Sequence, residues 1–286
     1  MIRLPLRYRE DRRSLLFLAA LIGLLAAQWT GALRHWTLYV LACVLAFVAC
    51  VIKHNHNHCR TFRDERWNRG LEQVLGLLTG HPTSAILTAH NTRHHGGNQG
   101  PGDWVRVSLV GFRRNWVNLL VFPFVSVAQM RADKPSDLRH WRAARPALYR
   151  RAIAERVVLY GTLAALLLVD WRATLVYLGG PWLFGQWAIV TINLLQHQDC
   201  DPASEVDHSR NVTGRFVNWL LLNNGYHGAH HLRPALHWSR LPELHRAQVA
   251  PRLSPDLDER SLLRASWRQF FAGPSARREA RVTTWS

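Results

Sequence analysis

The chain has 286 residues, a normal size for one domain or two small ones, and sets 36 Lys and Arg against 19 Asp and Glu for a formal charge of +17. That surplus, almost all Arg, calls for phosphate-bearing partners; with no zinc-finger spacing, RNP-like aromatic strand or Gly-rich phosphate loop, the common nucleic-acid modules are excluded and anionic lipid headgroups remain. The slightly negative mean hydropathy, beside 13 Trp, is shared by soluble proteins and by membrane proteins with a large polar side, so the positions of the residues must decide.

Residues 1–13 hold Arg3, Arg7, Arg9, Arg12 and Arg13, with no signal-peptide cleavage pattern. Ser14 to Leu33 is almost wholly apolar and about as long as a bilayer core of roughly 30 Å requires. After the break Arg34-His35, a second apolar run covers Trp36 to Ile52, with Trp36 and Tyr39 at the level of an aromatic belt. The two runs read as a transmembrane hairpin. The N-terminal Arg cluster places its open end in the cytoplasm, so the chain returns there at Lys53.

Residues 53–103 are polar and His-rich, with a modest apolar stretch from Leu71 to Leu78. Residues 104–128 are apolar but interrupted by Arg113, Arg114 and Asn115, which reads as an interfacial or half-inserted helix. Seven Arg in 131–156 close that segment on the inside. Val157 to Val169, the break Asp170-Trp171-Arg172, and Ala173 to Leu195 form a second hairpin. From Gln196 the chain is expected to be cytoplasmic, and 274–286 reads as a loose basic tail after a single domain of 1–273. Cys43 and Cys50 lie in an apolar run, and Cys59 and Cys200 lie beside histidines. With no CxxC pair and no disulfide framework, this suits reduced thiols in the cytoplasm.

Nine of the 16 His fall into four groups, all on the expected cytoplasmic side. They are His54 and His58 in His54-Asn-His-Asn-His58, His90 with His94-His95, His197 after the last apolar run, and His227 with His230-His231. On a helix, i and i+4 differ by only about 40°, so His54/His58, His90/His94 and His227/His231 should each share a face, whereas His56 points away. Adjacent imidazoles diverge by about 100° and can reach two different ions. Nine ligands exceed a single zinc site and suit two ions at about four or five each, and imidazole also suits iron and copper. The metalloprotease HExxH is missing, and Glu-x-x-His spacing occurs once, at Glu205-Val-Asp-His208, where carboxylate-bridged bundles need it twice. His35, His81, His140, His237 and His245 read as structural or surface. His208 is open between ligand and outer-shell partner.

The order HxxxH, HxxxHH, HxxHH, set in this hairpin–loop–hairpin layout, resembles the membrane fatty acid desaturase and hydroxylase superfamily over roughly residues 15–250. The stretch Asn223-Asn-Gly-Tyr-His227-Gly-Ala-His-His231-Leu-Arg-Pro234 looks like the third box of bacterial desaturase-like proteins, and His197 resembles the extra histidine of the superfamily's alkane hydroxylases. The resemblance implies an all-α integral membrane fold of about four transmembrane helices in two hairpins, with a cytoplasmic helical cap carrying the boxes. It also implies a di-iron centre held by His54, His58, His90, His94, His95, His197, His227, His230 and His231. That centre uses O₂ to activate a C–H bond of a lipid acyl chain, chemistry that side-chain acids and bases cannot supply.

Asp199, Asp207 and His208 are expected to orient these ligands from behind. No rubredoxin-like paired CxxC or His-Pro-Gly-Gly haem stretch is present, so electrons are expected from a separate ferredoxin- or rubredoxin-like protein and its reductase. The expectation is a fatty acyl desaturase in a bacterial-type inner membrane, its site facing the cytoplasm, with a lipid or alkane hydroxylase as the alternative. A metal transporter or sensor is the rival from another class, but transport sites place ionisable residues near mid-membrane and these apolar runs hold almost none.

Overall fold

The computed structural model describes residues 5–272; the expected basic tail at 274–286 and Arg3 lie outside the described residues. The chain divides into two compact units, 1–91 with 133–189, and 92–132 with 190–286.

The first unit is helical. α1 (Asp11–Trp29) buries Leu18, Leu21 and Leu25 on the face that packs against α2 (Trp36–His58). Its other side exposes Leu16 and Ile22, an apolar outer face that suits lipid better than water. His35 caps α2 by accepting the N–H of Thr37 at Nδ1 (3.3 Å), which places the chain break at the polar pair between the two apolar runs. α2 then continues as helix through the whole first histidine box. α3 (Glu65–Thr79) starts where Asp64 Oδ1 accepts the N–H of Arg66 (2.8 Å) and stops at Gly80. There φ is +65°, and a Cβ would stand 2.6 Å from the Trp182 ring, so both backbone and space require glycine.

Among the described residues three helical stretches are long and apolar enough to cross a membrane: Asp11–Trp29, Trp36–His58 and Pro146–His197. The expected four become three because the last one, which follows α4 (Asn115–Ala144), runs for 52 residues as α5 (Pro146–Thr174), a π-helical turn, and α6 (Gly180–His197). It is not straight. Asp170 leaves the helical region (φ −151°, ψ 93°), and its carboxylate accepts the N–H of Ala173 (2.9 Å) as a new N-cap. Thr174 Oγ1 donates to the carbonyl of Leu166 at 3.0 Å, although eight residues of straight helix would span about 12 Å. The polar break at 170–172 is therefore a real change of chain direction.

The second unit contains the start of α4, the end of α6, α7 (Arg215–Leu220), α8 (His227–Leu232) and α9 (Leu262–Phe270). Val110, Phe122, Leu194, Leu195, Ala265 and Phe270 form its apolar core. An exception to the all-α expectation is a pair of two-residue strands, β1 (Asn211–Val212) and β2 (Asp258–Glu259), paired in parallel. They hold the third histidine box in place. Asn211 Oδ1 accepts the N–H of Gly228 (2.9 Å) on α8, and Val212 N–H donates to the carbonyl of Gly225 (2.8 Å). A Cβ on Gly225 would come within 2.1 Å of the Val212 carbonyl oxygen, so a side chain there would break the contact.

Candidate metal centre

In the second unit His94, His197, His227 and His231 converge, each offering a ring nitrogen within 4.8 Å of the others. They come from three parts of the chain: the end of a π-helical segment at 87–94, the last residue of α6, and two successive turns of α8. His227 and His231 share a face of α8, their ring centroids 4.6 Å apart. His94, His197 and His227 are buried and His231 is partly so.

The ring orientations suit a cation. His94 Nδ1–H donates to Asp103 Oδ2 (2.9 Å), and His197 Nδ1–H donates to the backbone carbonyl of His208 (3.1 Å). Each bond fixes the tautomer and puts the lone pair on Nε2. Nε2 of His197 and of His227 stand 2.9 Å apart, and the buried Nε2 of His231 has no hydrogen-bond partner. Burial, then the neighbouring His227 and His197, hold the His231 imidazole well below its ordinary pKa, in the neutral form that binds metals. Burial would push the Asp103 carboxyl up. The hydrogen bond and charge of His94 and the backbone N–H groups of Val105 and Gln99 outweigh it and hold Asp103 below the ordinary range.

The first unit brings together three more. His54 and His58, one turn apart on α2, meet His90, with ring centroids 5.0, 4.4 and 4.9 Å apart. Within the second unit His95 and His230 form a pair, Nε2 to Nε2 at 3.0 Å. Neighbours in sequence therefore diverge, as adjacent helical positions must: His94 from His95, and His230 from His231. The expectation that His90 and His94 act as one i, i+4 pair is corrected. His90 gathers with His54 and His58, whereas His94 gathers with His197, His227 and His231; the segment 87–94 between them is a π-helix.

His56 takes no part in these groups. It is buried, with Nδ1 2.9 Å from Thr61 Oγ1 and Nε2 3.2 Å from Arg60 and 3.7 Å from Glu72. The three residues expected behind the ligands are placed differently from one another. Asp199 accepts a hydrogen bond from Gln269 Nε2 (2.9 Å), and Asp207 binds the N–H (2.8 Å) and hydroxyl of Ser254. His208 supports His197 through its backbone carbonyl, while its own Nδ1 lies 3.2 Å from the carbonyl of Ser204 and its ring 5.1 Å from that of His231. Burial lowers the His208 pKa, and its Nε2 is buried without a hydrogen-bond partner. A cavity of about 190 Å³ reaches His197 and His208 between Gln99, Val107, Ser108, Cys200 and Pro202.

Asp103, which sequence reasoning missed, carries the clearest contact behind a candidate ligand. It sits in a Gly-Pro-Gly-Asp loop that reads as an ordinary turn, and only its burial marks it out.

No curated protein matches the chain. The family model described as fatty acid desaturase matches residues 34–261, a stretch that includes every histidine named above as a candidate ligand. With most of its length matched and its histidines gathered as a metal site requires, the chain belongs to the fatty acid desaturase family.

Proposed function

We propose that this protein is an O₂-dependent di-iron desaturase of fatty acyl chains. The observation that carries the reading is the cluster of His94, His197, His227 and His231 in a chain of this family. Four gathered imidazoles fit a divalent transition metal, and the five other histidines that the resemblance assigns to metal gather separately, as a trio in the first unit and a pair in the second. Bound iron would supply the oxidising power to remove hydrogen from an unactivated alkyl chain.

The protein's own groups do the rest. Asp103 and the His208 carbonyl hold His94 and His197 with Nε2 presented to a metal. Burial keeps the His231 imidazole neutral, and His94, His197 and His227 are buried beside it. The lipid substrate is expected to arrive from the membrane, and the electrons from a separate ferredoxin- or rubredoxin-like protein and its reductase. In this reading residues 1–273 act as one domain, the apolar helices make two hairpins with the stretch Pro146–His197 turning at Asp170, and the histidines face the cytoplasm of a bacterial-type cell.

Hydroxylation of a lipid or alkane is the second reading. His197, standing alone at the end of α6, favours it because that histidine resembles the one of the alkane hydroxylases. Both reactions begin with the same hydrogen abstraction. Purified protein supplied with an acyl substrate, O₂ and an electron-donor system should give a product two hydrogens lighter by mass spectrometry. A product one oxygen heavier would establish the hydroxylase, and O₂-independent or absent turnover by iron-loaded protein would refute both.

A further inference from the structure

Two helices of the second unit turn apolar side chains outward in register. On α9, Leu263 is 83% exposed, Trp267 64% and Phe271, just beyond the last turn, 51%. At about 100° per residue, these three fall within about 80° of one another, and Arg264 and Arg268 follow on the next flank. The opposite side, with Ala265 and Gln269, is buried. The Trp267 and Phe271 rings stack with centroids 5.4 Å apart. The start of α4 repeats the pattern: Trp116, Leu120 and Phe124 are exposed at successive i+4 positions, with Arg113 and Arg114 exposed just ahead of the helix.

Both helices are tied to the end of an apolar helix. Their buried faces share a core with Leu194 and Leu195, in the last turn of the candidate span Pro146–His197. Asn115 Nδ2 donates to Gln198 Oε1 (2.9 Å) and to the Gln269 carbonyl (2.6 Å), joining the three elements where that span gives way to polar sequence. In a bilayer crossed by that span, its polar end falls at the depth of the headgroups. At the same place Arg260, Arg264 and Arg268 line a groove of about 320 Å³, in which they outnumber the carboxylates of Asp258 and Glu259. Arg268 is paired with Glu259 (2.7 Å), whereas among the described residues Arg260 and Arg264 have no acidic partner.

We propose that α9 is an interfacial helix that binds anionic phospholipid, with Leu263, Trp267 and Phe271 in the acyl boundary and Arg260, Arg264 and Arg268 on headgroup phosphates. An acidic protein would match the arginines but would leave the apolar stripe beside them without a complement. A leaflet satisfies both at once, as amphipathic helices with basic flanks do.

The test uses the full chain labelled with 5-fluorotryptophan in nanodiscs of phosphatidylcholine, with or without phosphatidylglycerol. Trp267→Phe assigns the Trp267 resonance. That resonance should be broadened by doxyl-labelled lipid and spared by a water-soluble gadolinium chelate, more so in discs containing phosphatidylglycerol. The variant Arg260→Gln/Arg264→Gln/Arg268→Gln should lose the phosphatidylglycerol dependence while the other tryptophan resonances stay in place. Broadening by the chelate and not by the lipid in wild-type protein would overturn the proposal, as would a Trp267 shielded only when an acidic electron carrier is added. A variant with unchanged lipid dependence would remove the arginines from it, and one that fails to fold leaves the wild-type result to decide. None of these readouts needs iron or turnover, so their failure is separate from failure of the desaturase reading.

Discussion

Asp103 and His56 show how buried polar residues near the histidine boxes acquire different work. Asp103 and His94 are both fully buried and Asp103 accepts from His94 Nδ1, so Asp103→Asn should weaken the orientation of one ligand without removing it. The expected loss is about 10- to 100-fold in metal affinity or turnover, read by elemental analysis of purified protein alongside product formation. Wild-type iron content and turnover in Asp103→Asn would show that the carboxylate has no part in the site. In the first box, His54→Ala and His58→Ala should abolish product formation, because each deletes one ring of a trio. His56→Ala should instead keep iron and measurable activity while lowering the melting temperature, because it leaves Glu72 and Arg60 with a buried gap. A metal-free His56→Ala protein would assign that ring to the wrong role.

At the scale of helices, the first unit is held by a buried ionic cluster. Glu72 on α3 binds Arg60, after α2, and Arg151 on α5; Arg151 also reaches Glu155 (3.3 Å), whose other oxygen accepts the N–H of Ser84 (2.7 Å). Burial would raise the Glu72 pKa, but the hydrogen bond with His56 and the charges of Arg151 and Arg60 hold it below the ordinary value. A depressed folded-state pKa makes Glu72's contribution complete above the ordinary glutamate range and lost as pH falls through the folded value. Glu72→Gln should therefore destabilise the protein at neutral pH and flatten its acid sensitivity. Because Arg60 and Arg151 keep some solvent contact, the cost is expected at the lower end of the about 3–5 kcal/mol typical of breaking a buried pair. Thermal unfolding in detergent at neutral and mildly acid pH measures both effects, and an unchanged acid limb would dissociate Glu72 from it.

Across the entire chain, nine candidate ligands imply about two iron atoms per molecule after expression in iron-replete cells. Elemental analysis giving one zinc and no iron would refute the di-iron reading. The basic segments at 1–13 and 131–156 and the even number of apolar passes expected before each box predict that reporters fused after residue 100 and after residue 240 both lie in the cytoplasm. Reporters on opposite sides would break that topology.

The apolar helices, the polar breaks at 34–35 and 170–172, and the histidine boxes were legible in the amino-acid order alone, because hydrophobic runs and i, i+4 spacings are local patterns set by the geometry of one helix. The turning of His56 away from His54 and His58 was legible for the same reason. Folding of the chain added what no local pattern encodes. It gathered His90 with His54 and His58 but His94 with His197, His227 and His231, and it brought Asp103, from a turn with no periodic signal, against His94. It sent Asp207 to Ser254, 47 residues along the chain, and had the backbone of His208 orient His197. A hydrogen bond between distant residues depends on where the chain folds back, and that is fixed by packing of the whole unit rather than by the spacing of the residues that make it.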